Sequence, residues 1–223
     1  MNKEDFRLSA TLPTDTSTEA QDRAAGWIVC PALAGWPAAQ AECLAHLPLR
    51  DANGAALTAL AGMRTARGLH IALFAGDPFL HLRTAFRAAE RAGVEALAAY
   101  PTAQSFDGET ARAIDSAGYG LAADVAFVRA ARAAGFATLA FAFGTRSARA
   151  LLDAGATRIA LHPGPTGRDP RADRAALADL ETTRAALGDA PVLIHRAFGH
   201  DPAKLDALVA RARGSVRLQP SMP

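Results

Sequence analysis

Lysine is almost missing from this chain. Lys3 and Lys204 are the two present, and the rest of the 24 basic residues are arginines. A Schiff-base aldolase needs a lysine inside its active site. Lys3 lies at the terminus and Lys204 in a helical stretch, so that chemistry is excluded. Cysteine is also scarce. Cys30 and Cys43 form no C-x-x-C pair, which reads as free thiols in a reducing compartment. No apolar run approaches the ~18 residues that span a bilayer, and Met1–Arg7 has mixed charge without an apolar h-region. A soluble, cytoplasmic protein with no membrane partner is predicted. The net charge is +2, with no basic run and no aromatic ladder, so no nucleic-acid partner is expected. No G-x-G-x-x-G follows the first strand and no G-x-S-x-G elbow occurs, which argues against a nucleotide cofactor and a serine hydrolase. No H-x-H ends the first strand, as a binuclear metal hydrolase would need. No Pro/Ser linker divides residues 1–223, so a single domain is expected.

What the chain does have is a repeated unit. Half of its residues are hydrophobic. Short apolar runs stop on Gly, Pro or polar residues, and helical spacing follows. The clearest runs are Leu69–Phe74 before Gly76-Asp77-Pro78, Glu95–Tyr100 before Pro101, Arg158–Leu161 before His162-Pro163-Gly164, and Pro191–Ile194 before His195. With weaker runs, eight strands are predicted near 6–12, 26–30, 69–75, 95–100, 136–143, 157–162, 191–195 and 215–219. Strand–helix alternation means a parallel sheet covered by helices. Eight units favour a closed (β/α)8 TIM barrel over an open sheet. A short helix is predicted over Ser17–Ala25, and another near 55–66 within an otherwise irregular 32–68. Few residues follow the last strand, so the eighth helix is expected to be missing or supplied by a partner copy in a homo-oligomer.

Barrels of this class hold their chemistry at the C-terminal ends of the strands. Asp77, Tyr100, Thr102, His162, His195, Arg196, Gln219 and Ser221 fall there. Asp77 has two readings: N-cap of a helix beginning at Pro78, or a carboxylate at the barrel mouth acting as base or metal ligand. His162 and His195 are either hydrogen-bonded structural residues or proton carriers converging on one face. The other four histidines are expected to be structural. Arg196 offers a planar fork for an anion, and the 162–168 segment adds backbone N–H groups and Arg168.

Gly76-Asp77-Pro78-Phe79, Tyr100-Pro101-Thr102, Phe106-Asp107-Gly108 and Gly118-Tyr119-Gly120-Leu121, followed by Ala154-Gly155-Ala156, His162-Pro163-Gly164 and His195, resemble in order and spacing the phosphoenolpyruvate hydrolase-like TIM-barrel family. That family is also described as TIM-barrel signal-transduction proteins. The resemblance implies a barrel related to phosphoenolpyruvate/pyruvate enzymes, acting on a small anionic 2-oxo acid or enol phosphate. It implies catalytic Asp77, His162 and His195, with Thr102, Tyr119 and Gly164 binding substrate beside the anion-binding role that its own chemistry gives Arg196. If Mg²⁺ takes part, the oxygen ligands Asp77 and Asp124 would carry it. The chain departs from the family pattern at Leu12-Pro13-Thr14, Ala99, Ala122, Arg196 and Ala197. Those departures motivate an alternative, a catalytically inactive barrel that binds a ligand or a protein.

Overall fold

Leu69–Leu73 is buried at every position. A strand with two apolar faces belongs between two layers, and parallel sheets supply that setting. In the computed structural model, which describes residues 3–11, 26–47, 49–63, 68–164 and 169–219, eight such strands close into a parallel barrel in sequence order. They are β1 (Glu4–Ser9), β2 (Gly26–Val29), β3 (Leu69–Leu73), β4 (Ala96–Ala99), β5 (Ala137–Ala142), β6 (Arg158–Leu161), β7 (Val192–Arg196) and β8 (Gly214–Leu218). β8 pairs with β1, Phe6 opposite Val216, and closes the ring. The TIM-barrel expectation holds. β8 is the last element among the described residues.

Side chains alternate across each strand, and the alternation divides the core in two. Phe6, Leu8, Ile28, Ala72, Ala98, Leu139, Phe141, Ala160, Leu193 and Val216 pack together in one cluster. Their strand neighbours Ile71, Leu73, Leu97, Ala140, Ile159, Leu161, Val192 and Ile194 pack in another with helical residues. The first cluster is the barrel interior and the second is the layer beneath the helices. The same parity carries past the strand ends. Tyr100, His162 and His195 continue the inward rows of Ala98, Ala160 and Leu193, while Arg196 continues the outward row of Ile194.

Eight helices surround the barrel among the described residues: α1 (Ala38–Ala45), α2 (Ala52–Ala61), α3 (Leu82–Arg91), α4 (Gly108–Ser116), α5 (Leu121–Ala133), α6 (Thr145–Asp153), α7 (Pro170–Ala186) and α8 (Pro202–Ala210). The expected helix over 17–25 lies outside the described residues, as do Arg168 and Ser221. Among its described residues the 32–68 connection holds two α-helices, not one, and the first of them carries a functional candidate that the motifs did not mark. Asp169 and Asp201 accept from the N–H groups of Arg171 and Ala203, at 2.8 and 2.9 Å, and open α7 and α8 with Pro at the first turn. Asp77 precedes a proline too, yet the next helix starts at Leu82. The expectation that Asp77 caps a helix at Pro78 is therefore corrected.

His70 is a polar residue set among the apolar side chains of the interior. His70 on β3 packs edge-on to Phe6 at 5.1 Å, and neither ring nitrogen has a hydrogen-bond partner. Burial, with Arg158 adding to it, pushes its pKa down to about 4. The unfolded chain therefore takes up a proton near pH 6.5 that the folded one refuses until about 4, and stability falls as pH falls through that window. His70→Leu removes the penalty. Its stability relative to wild type is expected to rise by on the order of 2 kcal/mol between pH 8 and pH 5, as urea denaturation at the two pH values would measure.

Candidate functional site

α1 brings a carboxylate into the barrel mouth. Ala41 and Ala45 bury the inner face of this helix, and Glu42 shares that face with His46 one turn on. Glu42 Oε1 lies 2.5 Å from His195 Nε2 and 3.9 Å from His162 Nε2. The Tyr100 hydroxyl donates to the same oxygen at 3.4 Å. His162 and His195 end adjacent strands, so their rings stack, with centroids 4.5 Å apart and planes at 22°. Phe143 covers the other face of His162 at 4.6 Å, and Phe141 meets His195 edge-on at 5.5 Å. This is a small polar cluster set in an aromatic wall.

Its electrostatics follow from that setting. Burial is the largest single influence on the Glu42 carboxyl and would raise it, but His195 beside it, together with His162 and His46, outweighs burial and holds the pKa down to about 2. Burial pushes His162 well below the usual imidazole value, and neighbouring His195 adds to the shift. His46 falls to about 4 for the same first reason. His162 is thus uncharged at neutral pH. The backbone N–H of Gly164 donates to its Nδ1 at 2.9 Å, so Nδ1 carries the lone pair and Nε2 carries the hydrogen. Nε2 is buried and has no protein partner.

Glu42 and His162 border a cavity of about 270 Å³ that is also lined by Cys43, His46, Gly164 and Phe106 among others, while His195 and Tyr100 are fully buried. A second cavity of about 600 Å³ shares His46, Leu47 and Phe106 with it and is bordered by Asp77, Tyr119 and Arg50. Arg50 is the one arginine among the residues lining the two. It stands over the Trp36 ring, 4.3 Å from the centroid.

The expected site residues separate into three groups. His162 and His195 come together with Glu42. Gly164 lies beside them with φ +94°, its N–H on His162 and its carbonyl on His200 Nε2 at 3.1 Å, so its contact is with the imidazole. Asp77 and Tyr119 border the larger cavity. Asp77 accepts from Asn53 Nδ2 at 2.8 Å and from the Phe79 N–H at 2.9 Å. Asn53 also clamps both backbone groups of Phe74, at 2.9 and 3.0 Å, so together they close the turn after β3. Thr102, Asp124 and Arg196 are engaged elsewhere. The Thr102 hydroxyl donates to Asp124 Oδ2 at 2.6 Å, and the Gln104 amide donates to the same oxygen at 2.8 Å. Arg196 faces outward, as its parity requires, and pairs with Asp206 of α8. Sequence reading missed Glu42. The available signal was one acidic residue inside the otherwise uncharged, Ala-rich stretch Ala38–Ala45.

Burial pushes the Asp124 carboxyl up to about 7, against the opposing bonds from Thr102 and Gln104. A carboxyl raised in the folded state destabilises it above the ordinary value, and the cost is complete above pH 7. Asp124→Asn keeps an acceptor for both donors. It is expected to gain roughly 1–3 kcal/mol over wild type at pH 8 and nothing at pH 4, the reverse of His70→Leu. Chemical denaturation at those pH values separates the two.

Glu42, His162 and His195 offer three ligand atoms within 4.8 Å of one another, the one such cluster among the described residues. They do not fit Mg²⁺, which takes an octahedron of oxygens. The set provides one carboxylate, and His162 Nε2 bears hydrogen where a ligand needs a lone pair. Asp77 and Asp124 do not fit it either. Among the described residues neither belongs to a group of three ligand-bearing side chains, and Asp124 is wrapped by two donors and carries a raised pKa.

A closed parallel barrel with a carboxylate and two imidazoles gathered at the ends of its strands has the layout of a TIM-barrel enzyme scaffold. Residues 37–187, more than half of the chain, match the profile of the family described as phosphoenolpyruvate hydrolase-like, and the chain belongs to that family. The matched segment contains Glu42 and His162 and ends before His195. The uncharacterized protein y4oT of Sinorhizobium fredii (strain NBRC 101917 / NGR234) is 32% identical over 114 residues, which is 51% of this chain and 58% of that protein. The chain thus spans little more than half the length of that relative. Among solved structures, 2,3-dimethylmalate lyase, a PEP mutase/isocitrate lyase superfamily member, superposes with a TM-score of 0.58 over 98% of this chain and 76% of its own. At 12% identity that likeness is one of fold.

Proposed function

We propose that this protein is an enzyme that moves a proton on a small anionic 2-oxo acid or enol phosphate, with Glu42, His195 and His162 as its working groups. The observation that carries the proposal is the unpartnered, buried Nε2–H of uncharged His162, 3.9 Å from the Glu42 carboxylate that pairs with His195, with Glu42 and His162 lining the same cavity. A neutral imidazole is a weak acid. It hydrogen-bonds a carbonyl oxygen and holds it more firmly as that oxygen becomes an enolate. The proton of the neighbouring carbon passes through the Glu42 carboxylate, which lines the cavity, to His195 Nε2, or returns by the same route, because a carboxylate on an imidazole orients the ring and stabilises its charged form. The aromatic wall of Phe141, Phe143 and Tyr100 keeps water out and strengthens both interactions. Arg50 is the group assigned to the substrate's carboxylate or phosphate, since Arg196 is spent on Asp206. Mg²⁺ enters no step.

Calorimetric titration with pyruvate, 2-oxobutyrate and phosphoenolpyruvate tests this in metal-free buffer. At least one of these acids is expected to bind, about ten-fold or more weaker to Arg50→Gln, the loss of one charge-assisted contact. Heats indistinguishable from dilution for all three at millimolar concentration would reject the substrate class.

A further inference from the structure

The hydrogen bond that sets the His162 tautomer is itself held from outside the cavity. Gly164 connects two peptide groups that point to different partners. Its N–H faces His162 Nδ1 at 2.9 Å, and its carbonyl accepts from His200 Nε2 at 3.1 Å. With φ at +94°, it occupies a conformation that glycine enters and leaves freely. Something must hold it there, and His200 is placed to do so. The His200 side chain is 1% exposed and its Nδ1 meets the Asp173 carboxylate of α7. Both ring nitrogens therefore face oxygens that can only accept. Both bonds form together only if both nitrogens carry hydrogen, as a cation paired with Asp173.

We infer that Asp173 and His200 are positioning residues that, through Gly164, fix His162 as the Nε2–H tautomer. The chain runs from the Asp173 carboxylate to His200, to the Gly164 carbonyl, and from the Gly164 N–H to His162 Nδ1. It makes His162 a donor at Nε2, 3.9 Å from Glu42 Oε1. It also bars His162 from ligating a metal, because a ligating histidine donates its remote N–H to an acceptor, and here the remote nitrogen meets a donor. The catalytic value of this arrangement rests on the function proposed above. The tautomer itself does not, and it can be read without substrate.

The experiment is long-range ¹H–¹⁵N correlation NMR on the full chain with ¹⁵N-labelled histidine at neutral pH, with His162 assigned from His162→Gln. Wild type is expected to show His162 as a single Nε2–H tautomer, unchanged by one equivalent of Zn²⁺. His200→Leu is expected to lose that single tautomer and show both forms. His200→Gln, whose amide can still donate to the Gly164 carbonyl, is expected to restore it. Asp173→Asn provides an independent variant should His200→Leu fail to give a folded far-UV spectrum, and is expected to show both forms. An Nδ1–H tautomer in wild type would overturn the inference. So would a stoichiometric Zn²⁺ shift of the His162 signals, or an unaltered tautomer in folded His200→Leu or Asp173→Asn. A protein inert toward every 2-oxo acid, but with the expected tautomers, would contradict the proposed function and leave this inference standing.

Discussion

Glu42→Gln is expected to lower turnover by about 10²–10⁴-fold, the usual worth of a positioned acid–base group. The amide keeps the shape of the side chain and one acceptor for His195 Nε2, but removes the charge that supports the imidazolium. Glu42→Ala goes further. It leaves the fully buried His195 ring with neither nitrogen bonded, since Nδ1 already lacks a partner. Removing one member of a buried pair costs on the order of 3–5 kcal/mol. The pH dependence of that cost has a definite sign. The folded carboxyl titrates at about 2, below its ordinary 4.5, so its stabilisation is complete above the ordinary value and disappears as pH falls through the folded one. Urea denaturation of wild type and Glu42→Ala is therefore expected to show a large difference at neutral pH that shrinks below pH 4.5. A constant difference across that range would remove the charge from the explanation.

Phe141→Ala is expected to be the most damaging apolar substitution at the site, by about 3–5 kcal/mol. Phe141 is 1% exposed and projects into a barrel interior where its row-mates Ala72, Ala98 and Ala160 are too small to fill the space it would vacate. Its ring lies 4.5 Å from Tyr100 and meets His195 edge-on. Truncation therefore leaves a void beneath the Glu42–His195 pair and lets water reach it. At 2–4 °C per kcal/mol for a domain of this size, the melting temperature should drop by about 10 °C. Activity should fall with it even at temperatures where the variant is fully folded. Scanning calorimetry gives the first quantity, and a rate at a temperature well below both transitions gives the second. Phe141→Leu, which fills most of the volume, should recover most of the stability.

The legible part of the structure follows from what leaves a local trace. The runs at 69–75, 95–100 and 191–195 are short, apolar and punctuated, and each became a strand within a residue or two. Both His162 and His195 were legible as residues at the ends of such runs, and parity along β6 and β7 turns them inward. Glu42 left a fainter trace. Nothing in the local pattern of 32–68 says that its first helix turns a carboxylate onto residues more than a hundred positions later; tertiary closure of the barrel does that. Asp77-Pro78 shows the opposite difficulty. The same dipeptide pattern opens helices at Asp169 and Asp201, but at Asp77 a side chain from α2, Asn53, captures the carboxylate and the backbone of Phe74 and makes a turn instead. Arg196 was legible as a cation at a strand end. Its outward parity, and the Asp206 that answers it on α8, required the barrel's inside and outside to be known.

Solvent exchange tests the central claim most directly. Pyruvate and 2-oxobutyrate are incubated with the protein in D₂O without added metal, and loss of the C3 proton signal is followed by NMR. Enolisation is the shared first step for any enzyme in which His162 holds the oxygen and the Glu42–His195 pair moves the proton, whatever the later chemistry. Exchange faster than in buffer for at least one 2-oxo acid is expected with wild type, returning to the buffer rate with Glu42→Gln and with His162→Gln. Exchange at the buffer rate with wild type, or accelerated exchange that survives both substitutions, would contradict the account.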